Sequence, residues 1–502
     1  EDSLPGRLWT ITSESEDGSR LLSLDELRRQ SNVNLAIGGA LGIDGEMIEL
    51  ELAVIDAKTG EELRSDTIET LAGNLTILQR EPVERVAQML GFPADSDLTR
   101  RLTSRATNLT SAYRPYLEGR GVSAAPAVDE AADRALQLLR DSVAADSLFI
   151  QARIALADAA LRGFEATGDR SLLGEGLEHA EFAVNADEPP TEAFLVLGFL
   201  HTAAGDEAAA LRSLKRAVRL SPNRALGHLE LGKALARQRR FEEAEEAFER
   251  AINLRPSWWR GSFQMALVHL DLGEYDAAAN RFRRATELAP ENAGAATNLG
   301  SLYYFLDRRT DAEEMFLKSI RIEPNVDAYS NLGTLAFEEA RFGDAADHFE
   351  RAVELGAEEY AIWGYLASAY YWGGDRDQAE IAFRRAIELG EPLLAADPVD
   401  LFVSTDLAAY CGMLGERDRG LEIVEMAIET APEDEDLMAA IGESLEDLGE
   451  RDRALEWIGR ALAGGFDPTW IDRRPGLRDL TSDPRYRALI DNLAHTEEDA
   501  ES

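Results

Sequence analysis

Between residues 47 and 56 apolar and polar positions alternate, with Ile48, Leu50, Leu52 and Val54 on one side and Glu49, Glu51 and Ala53 on the other. A period of two is that of a strand with one wet face. The apolar run before it, Leu35 to Ile43, joins it through Asp44-Gly45, a strong hairpin signal. Past a turn at Lys58-Thr59-Gly60, a third strand is predicted around Leu63 to Thr70. The spacing of Leu75, Leu78, Val83, Val86 and Leu90 then becomes helical. Nearer the start, Leu8 to Thr12 reads as a strand, and Ser23 with Glu26 forms a capping box for a helix over Leu24 to Gln30. The predicted order is strand, helix, three-strand meander, helix. Gly38, Gly39 and Gly42 lie inside a strand, whereas a phosphate-cradling loop needs Lys followed by Ser or Thr at a helix start. Bulges or close backbone packing explain these glycines better.

From about residue 111 the pattern lengthens. Small residues recur about 34 apart at Gly198, Gly232, Ala266, Gly300, Gly333 and Ala367. Twelve positions after each stand Ala210, Ala244, Ala278, Ala312, Ala345 and Ala379, and seven further on Ala217, Ala251, Ala285, Ser319, Ala352 and Ala386. Pro222, Pro256, Pro290 and Pro324 close the first four units. Small residues at these positions let two helices of a hairpin, and then the next hairpin, approach closely, and proline ends a helix without losing a needed bond. This period and register identify tetratricopeptide repeats. Two more units register on Ala408, Gly420, Ala427 and Pro432, and on Gly442, Ala454 and Ala461; a seven-residue insertion around Glu391 to Pro398 precedes them. Upstream, Ala157, Gly176 and Ala183 fit one irregular unit, and Ala135 with Ser142 marks a degenerate first one. The expected fold is mainly α: a right-handed superhelix of tetratricopeptide hairpins, eight clear and two irregular, behind a small N-terminal α/β domain.

Charge narrows the partners. Ninety-four acidic against 52 basic residues give a formal net charge of −42, a field that repels nucleic-acid phosphates and anionic head groups. Nucleic acid is therefore not an expected partner. Cys411, the single cysteine, cannot make an internal disulfide or by itself a thiolate zinc site. No run of 18 apolar residues occurs, so no direct membrane insertion of this segment is expected. The sequence opens on Glu1 and Asp2 without an initiator Met, so a membrane anchor encoded upstream is compatible with it. His179, His201, His228, His269, His348 and His495 are scattered without metal-protease spacing, and no nucleophile elbow or kinase signature is present. The acidic run Glu433 to Asp436 lacks the spacing of a calcium loop. The chain itself is expected to be non-catalytic, with no metal and no cofactor.

A protein or peptide is the expected ligand, because the first helix of each such hairpin lines a concave groove. Counted from the registered small residue, the groove residues are Arg260 and Phe263; Asn298, Ser301 and Tyr304; Asn331, Thr334 and Phe337; then Tyr365, Ser368, Tyr371 and Trp372. Aromatic anchors interleaved with amides and hydroxyls suit an extended peptide or partner helix. Packing of Tyr304, Phe337 and Tyr371 as core between hairpins is the competing expectation. Basic residues beside the asparagines are largely absent, which speaks against capture of a peptide C-terminus.

Several stretches go beyond the repeat. They are Ser3 to Trp9 (SLPGRLW), Leu35 to Leu41 (LAIGGAL), Leu50 to Ala57 (LELAVIDA), Leu78-Gln79, Ala112 to Gly121 (AYRPYLEGRG) and the closing Asp483-Pro484-Arg485-Tyr486. Together they resemble the region that follows the kinase domain in bacterial eukaryotic-like serine/threonine protein kinases, where a domain similar to the amino-terminal domain of the translocation protein TolB precedes tetratricopeptide repeats. Similar regions follow adenylate cyclase or winged-helix domains. The resemblance implies a division into a TolB-like α/β domain over 1–98, truncated at its start, a helical bridge with the degenerate repeat over 99–147, the repeat array over 148–466, and a C-terminal cap with an acidic tail over 467–502. It also implies a sensory or regulatory role beside an upstream catalytic domain, and a place on the extracytoplasmic side of a membrane.

Overall fold

The computed structural model describes residues 35–44, 47–56, 59–71, 74–91, 107, 109–123, 129–397, 400–430, 433–472 and 474–491. The expected strand at Leu8 to Thr12 and helix at Leu24 to Gln30 lie outside them. The chain divides into two compact units, one ending at Leu272 and one beginning at Gly273.

Among its described residues the first unit opens with an antiparallel meander of β1 (Leu35–Asp44), β2 (Met47–Asp56) and β3 (Glu62–Leu71), in the order β1-β2-β3. The alternation in β2 places Leu52 and Val54 on the buried face, where they meet Ile68 and Met89. Met89 closes α1 (Leu75–Met89), whose Ile77 and Val86 complete this small core. Pairing of β1 with β2 runs unbroken from Leu35 opposite Asp56 to Asp44 opposite Met47, so the β1 glycines do not mark a bulge. Close packing accounts for Gly39: a methyl there would stand 2.9 Å from the Glu51 carbonyl oxygen.

Helical hairpins follow. In the first unit they are α2 (Thr110–Ser123) with α3 (Asp129–Ala145), α4 (Ile150–Thr167) with α5 (Arg170–Val184), α6 (Thr191–Ala203) with α7 (Glu207–Leu220), and α8 (Ala225–Arg237) with α9 (Phe241–Leu254). The unit closes on α10 (Trp259–Asp271). The degenerate repeat is the α2–α3 pair, tied where Ser142 Oγ donates to the Ala112 carbonyl over 2.7 Å.

The second unit begins with α11 (Tyr275–Leu288). It continues through α12 (Ala293–Phe305) with α13 (Arg309–Ile322), α14 (Val326–Glu338) with α15 (Phe342–Glu354), and α16 (Tyr360–Gly373) with α17 (Arg376–Ala396). Then come α18 (Leu401–Met413) with α19 (Arg417–Glu429) and α20 (Glu435–Asp447) with α21 (Arg451–Gly464). The insertion before α18 lengthens α17, which runs through Glu391 and Pro392 to Ala396. A short α22 (Pro468–Asp472), a 3-10 turn at Pro475–Leu477 and α23 (Arg478–Thr481) end the unit. Ile471, Leu477 and Leu480 cover the last hairpin, burying themselves with Leu437, Met438 and Ile441 of α20.

The glycines at the first registered position of the repeat each face a large side chain of the same hairpin. A methyl on Gly232 would meet the Phe248 ring at 2.5 Å, one on Gly300 the Phe316 ring at 2.7 Å, and one on Gly333 the Phe349 ring at 2.8 Å. At the two ends the partner is aliphatic, Leu214 against Gly198 and Ile458 against Gly442. Phe248, Phe282, Phe316, Phe349 and Phe383 are all fully buried and recur 33 or 34 residues apart. In this ladder of rings Phe248, Phe316 and Phe349 fit because the facing residue is a glycine, with no side chain to displace the ring, whereas the registered residue before Phe383 is Ala367.

Candidate functional site

Three of the first helices in the second unit carry the expected groove residues, and the structure separates them into three kinds. Asn298 and Asn331 are half-buried, and each amide donates to a carbonyl of its own helix, Asn298 to Gly294 over 2.9 Å and Asn331 to Asp327 over 2.8 Å. With the amide nitrogens engaged in this way, the two side chains have their oxygens to offer a ligand as acceptors. Ser301 and Thr334 likewise donate back to Thr297 and Ser330, each over 3.1 Å. Ser368 is half-buried.

Phe337 is a correction. It is 9% exposed, lies edge-on to Phe342 with centroids 5.3 Å apart, and belongs to the core with Phe349 and Leu366. A wholly apolar ring gains most by leaving water, and nothing polar holds it at the surface. Tyr304 and Tyr371 stand at the same spacing but are half-buried. Tyr304 Oη donates to Glu338 Oε1 over 2.5 Å, and Glu338 also holds Arg309 at 2.7 Å. Burial first, then that bond to a carboxylate, pushes the Tyr304 phenol well above its ordinary range. Tyr371 packs edge-on to Trp372 at 5.2 Å and carries the Arg376 guanidinium 3.2 Å above its ring.

Tyr365 is the most open of the expected groove aromatics, 40% exposed while its ring stacks on Phe349 at 5.7 Å. Arg260 and Phe263 belong to α10 in the first unit, where both lie against Trp259; the rings of Trp259 and Phe263 meet edge-on at 5.5 Å.

The structure adds charged residues that the sequence reading did not place. Tyr360 Oη donates to Asp406 Oδ2 over 3.0 Å, from α16 to α18. Glu443, on α20, faces Arg474 from the segment after α22, Nε to Oε1 at 3.7 Å. Burial raises the Tyr365 phenol; Arg474 opposes this, while Asp406, Glu443 and Glu338 add to it, so α14, α18, α20 and the C-terminal segment all act on one side chain of α16. Asp406 is pushed up to about 6, first by burial and then by the like charge of Glu443, against the stabilising bond from Tyr360. Burial, Glu443 and Glu446 raise Asp447 as well. Asp406 and Tyr365 both stand two residues before the registered small residue, and Glu443 one after it, so the same register carried on to Ala408 and Gly442 finds two of these carboxylates. Arg474 lies outside the repeats, and no spacing rule reaches it.

Among the described residues no helix is long and apolar enough to cross a membrane. The tetratricopeptide repeat family matches residues 196–257, 263–327 and 330–393. No curated protein matches the chain. Among solved structures, a thermophilic tetratricopeptide repeat protein of Thermus thermophilus is 22% identical, covering 38% of this chain and 99% of its own, with a TM-score of 0.33. PilF of Pseudomonas aeruginosa is 20% identical over 45% of this chain and 96% of its own, TM-score 0.37. MamA of Desulfovibrio magneticus RS-1 is 24% identical over 34% and 97%, TM-score 0.30.

Proposed function

We propose that this chain of tetratricopeptide repeats is a non-catalytic scaffold, and that it binds a peptide or partner segment along the inner face formed by α12, α14, α16, α18 and α20. Tetratricopeptide repeats are typically non-catalytic and suggest a protein-interaction scaffold. The observation that carries the finer reading is Tyr365. A tyrosine stacked on a core ring yet 40% exposed is an anchored, pre-oriented contact surface, with Asn331 and Trp372 as half-buried companions.

Pull-down of the native partner followed by calorimetry tests this. Asn331→Ala and Trp372→Ala are each expected to weaken capture by about tenfold with helicity retained. Glu314→Ala, on an exposed position of α13, serves as control. Glu245 is a poorer one, because its carboxylate lies 3.5 Å from the buried His269. Unchanged affinity in both groove variants sinks the inner-face reading; lost helicity assigns the two side chains to the core.

A second reading makes the region the sensory or regulatory part of a bacterial serine/threonine kinase or adenylate cyclase. It is supported by the β1-β2-β3-α1 arrangement placed before the repeats, the order that the resemblance implies. In that reading 1–98 is the TolB-like domain and the region is extracytoplasmic. Reading the gene on the 5′ side of the Glu1 codon tests it: a catalytic domain followed by a membrane span supports it, and a gene that begins at this region overturns it.

A further inference from the structure

Arg153 is held differently from the other arginines. Among the described residues it is the buried one, 9% exposed, and its partners are not carboxylates. Nε donates to the Ser147 carbonyl over 2.7 Å, Nη1 lies 2.9 Å from His179 Nδ1, and the guanidinium carbon sits 3.8 Å above the centre of the Phe182 ring. One side chain thus fastens three pieces of the first unit: its own helix α4, the connection from α3 at Ser147, and α5. A guanidinium has donors and no acceptor. His179 Nδ1 must therefore accept, which fixes the imidazole as neutral with its proton on Nε2.

We propose that the Arg153–His179 contact is an acid-released latch on the joint between the α2–α3 hairpin and the rest of the array. A proton can enter the imidazole only at Nδ1, where it turns the acceptor into a donor. The bond from Arg153 is then lost, and two cations face each other in a site largely closed to water. The half-buried imidazole gains by turning out to solvent, and α4, α5 and the connection at Ser147 lose their common tie. The latch is independent of the scaffold reading and needs no ligand. The groups around it set the balance. Burial, then the Arg153 charge, holds His179 below its ordinary range; Glu178 and Glu175 of α5 oppose this, and Arg140 of α3 adds to it. Glu175 is itself taken by Arg140 over 2.7 and 2.6 Å, a pair that keeps its carboxyl low, so it stays ionised at mild acidity and still ties α3 to α5. In the connection, Asp146 accepts from Thr107 over 2.5 Å, and α6 meets α5 through the apolar Val196, Leu197 and Leu200. A group whose folded value lies below its unfolded one takes up a proton as the joint opens. Opening is therefore unaffected at neutral pH and grows as pH falls below about 6.5.

Hydrogen–deuterium exchange of the whole chain, read by mass spectrometry at about pH 7.5 and 5.5 and corrected for the intrinsic pH dependence of amide exchange, tests this. Peptides covering 145–184 are expected to open about five- to tenfold more at the lower pH, since one proton on a group of ordinary value about 6.5 gives at most about elevenfold over that step. Peptides of α13, which carries no histidine, should change by less than about twofold. His179→Asn places Oδ1 as acceptor where Nδ1 stood and cannot be protonated. It should match the parent protein at the higher pH and abolish the acid response of 145–184; His179→Gln takes its place if the asparagine variant does not fold. His348→Gln, at a histidine also held low by burial but on α15, should leave that response intact. An acid response that persists in a folded His179 variant, or a parent protein whose 145–184 peptides open equally at both pH values, overturns the proposal.

Discussion

The Tyr360 phenol reaches from α16 across to α18 and donates to Asp406 Oδ2 over 3.0 Å, yet this bond does not keep the carboxyl acidic. Burial and the neighbouring Glu443 outweigh it and bring Asp406 to about 6. A folded-state value above the unfolded one means that the native chain holds a proton that the unfolded chain has already released, so the stability Asp406 contributes is full below about pH 4 and is lost as pH rises to about 6. Asp447 acts in the same direction.

Asp406→Asn is therefore expected to match the parent protein near pH 4 and to exceed it by about 3 kcal/mol at pH 8, because the amide oxygen still accepts from Tyr360. Denaturant unfolding of both proteins from pH 4 to 8 checks this. The carboxylates held low by arginines or backbone amides, Glu175, Glu416 and Asp483 among them, titrate alike in both proteins and cancel in the difference. A difference that does not change with pH would refute the account.

Two helical glycines ten residues apart should respond oppositely to the same substitution. Gly333 faces the Phe349 ring with no room for a methyl, whereas Gly343, inside α15, has nothing within 4 Å. Gly333→Ala is expected to lose about 1–3 kcal/mol to overpacking, and Gly343→Ala to gain about 0.5–1 kcal/mol from helix propensity. Thermal melts of the two variants give the sign directly. A gain at Gly333 would mean that the hairpin relaxes around the methyl, and that the ladder of rings is looser than its burial indicates.

The joint between the two helices of each clear repeat turns through a left-handed residue. Gly205, Gly273, Gly374, Gly415 and Gly449 fill it where glycine is present, but Arg239, Asp307 and Ala340 adopt φ of 56°, 54° and 57° at the equivalent places. A side chain in this region is strained by about 1 kcal/mol, least for Asp and more for Ala or Arg. Ala340→Gly should thus stabilise by roughly 0.5–1 kcal/mol after the added freedom of the unfolded chain is counted. A melting temperature below that of the parent would show that some contact of the Ala340 methyl outweighs the strain.

How much of this was readable beforehand depended on the kind of signal. Alternation in β2 and the small-residue register from Gly198 onward report backbone period, and both survive as β2 and the hairpins. The phenylalanines from Phe248 to Phe383 carry the same period and give the small residues their reason, but that reason appears only when the partner across the hairpin is seen. Groove positions were harder. Tyr304, Phe337 and Tyr371 share one spacing, and the polar tip, not the spacing, decides which stays near water: Tyr304 finds Glu338, while Phe337 has no such partner and sinks. Arg474 reaches the face only because the chain after α21 folds back over α20, a tertiary event with no local pattern.

Arginines are largely engaged already: Arg341 lies within 3.1 Å of Glu313, Glu339 and Asp344, and Arg384 and Arg419 each bridge more than one glutamate. Added salt weakens those exposed pairs, but each is worth only about 0–1 kcal/mol. It also screens the repulsion among the surplus carboxylates behind the net charge of −42, over distances beyond a Debye length of about 10 Å at 0.1 M. With 94 acidic groups against 52 basic ones, like-charge pairs outnumber opposite-charge pairs over the chain as a whole, so screening should favour the compact state. The melting temperature is expected to rise as sodium chloride goes from low to moderate concentration, and to rise less for sequences in which surface Glu is replaced by Gln away from the arginines. A flat or falling curve would show that the arginine bridges, not the surplus charge, dominate the electrostatics of the fold.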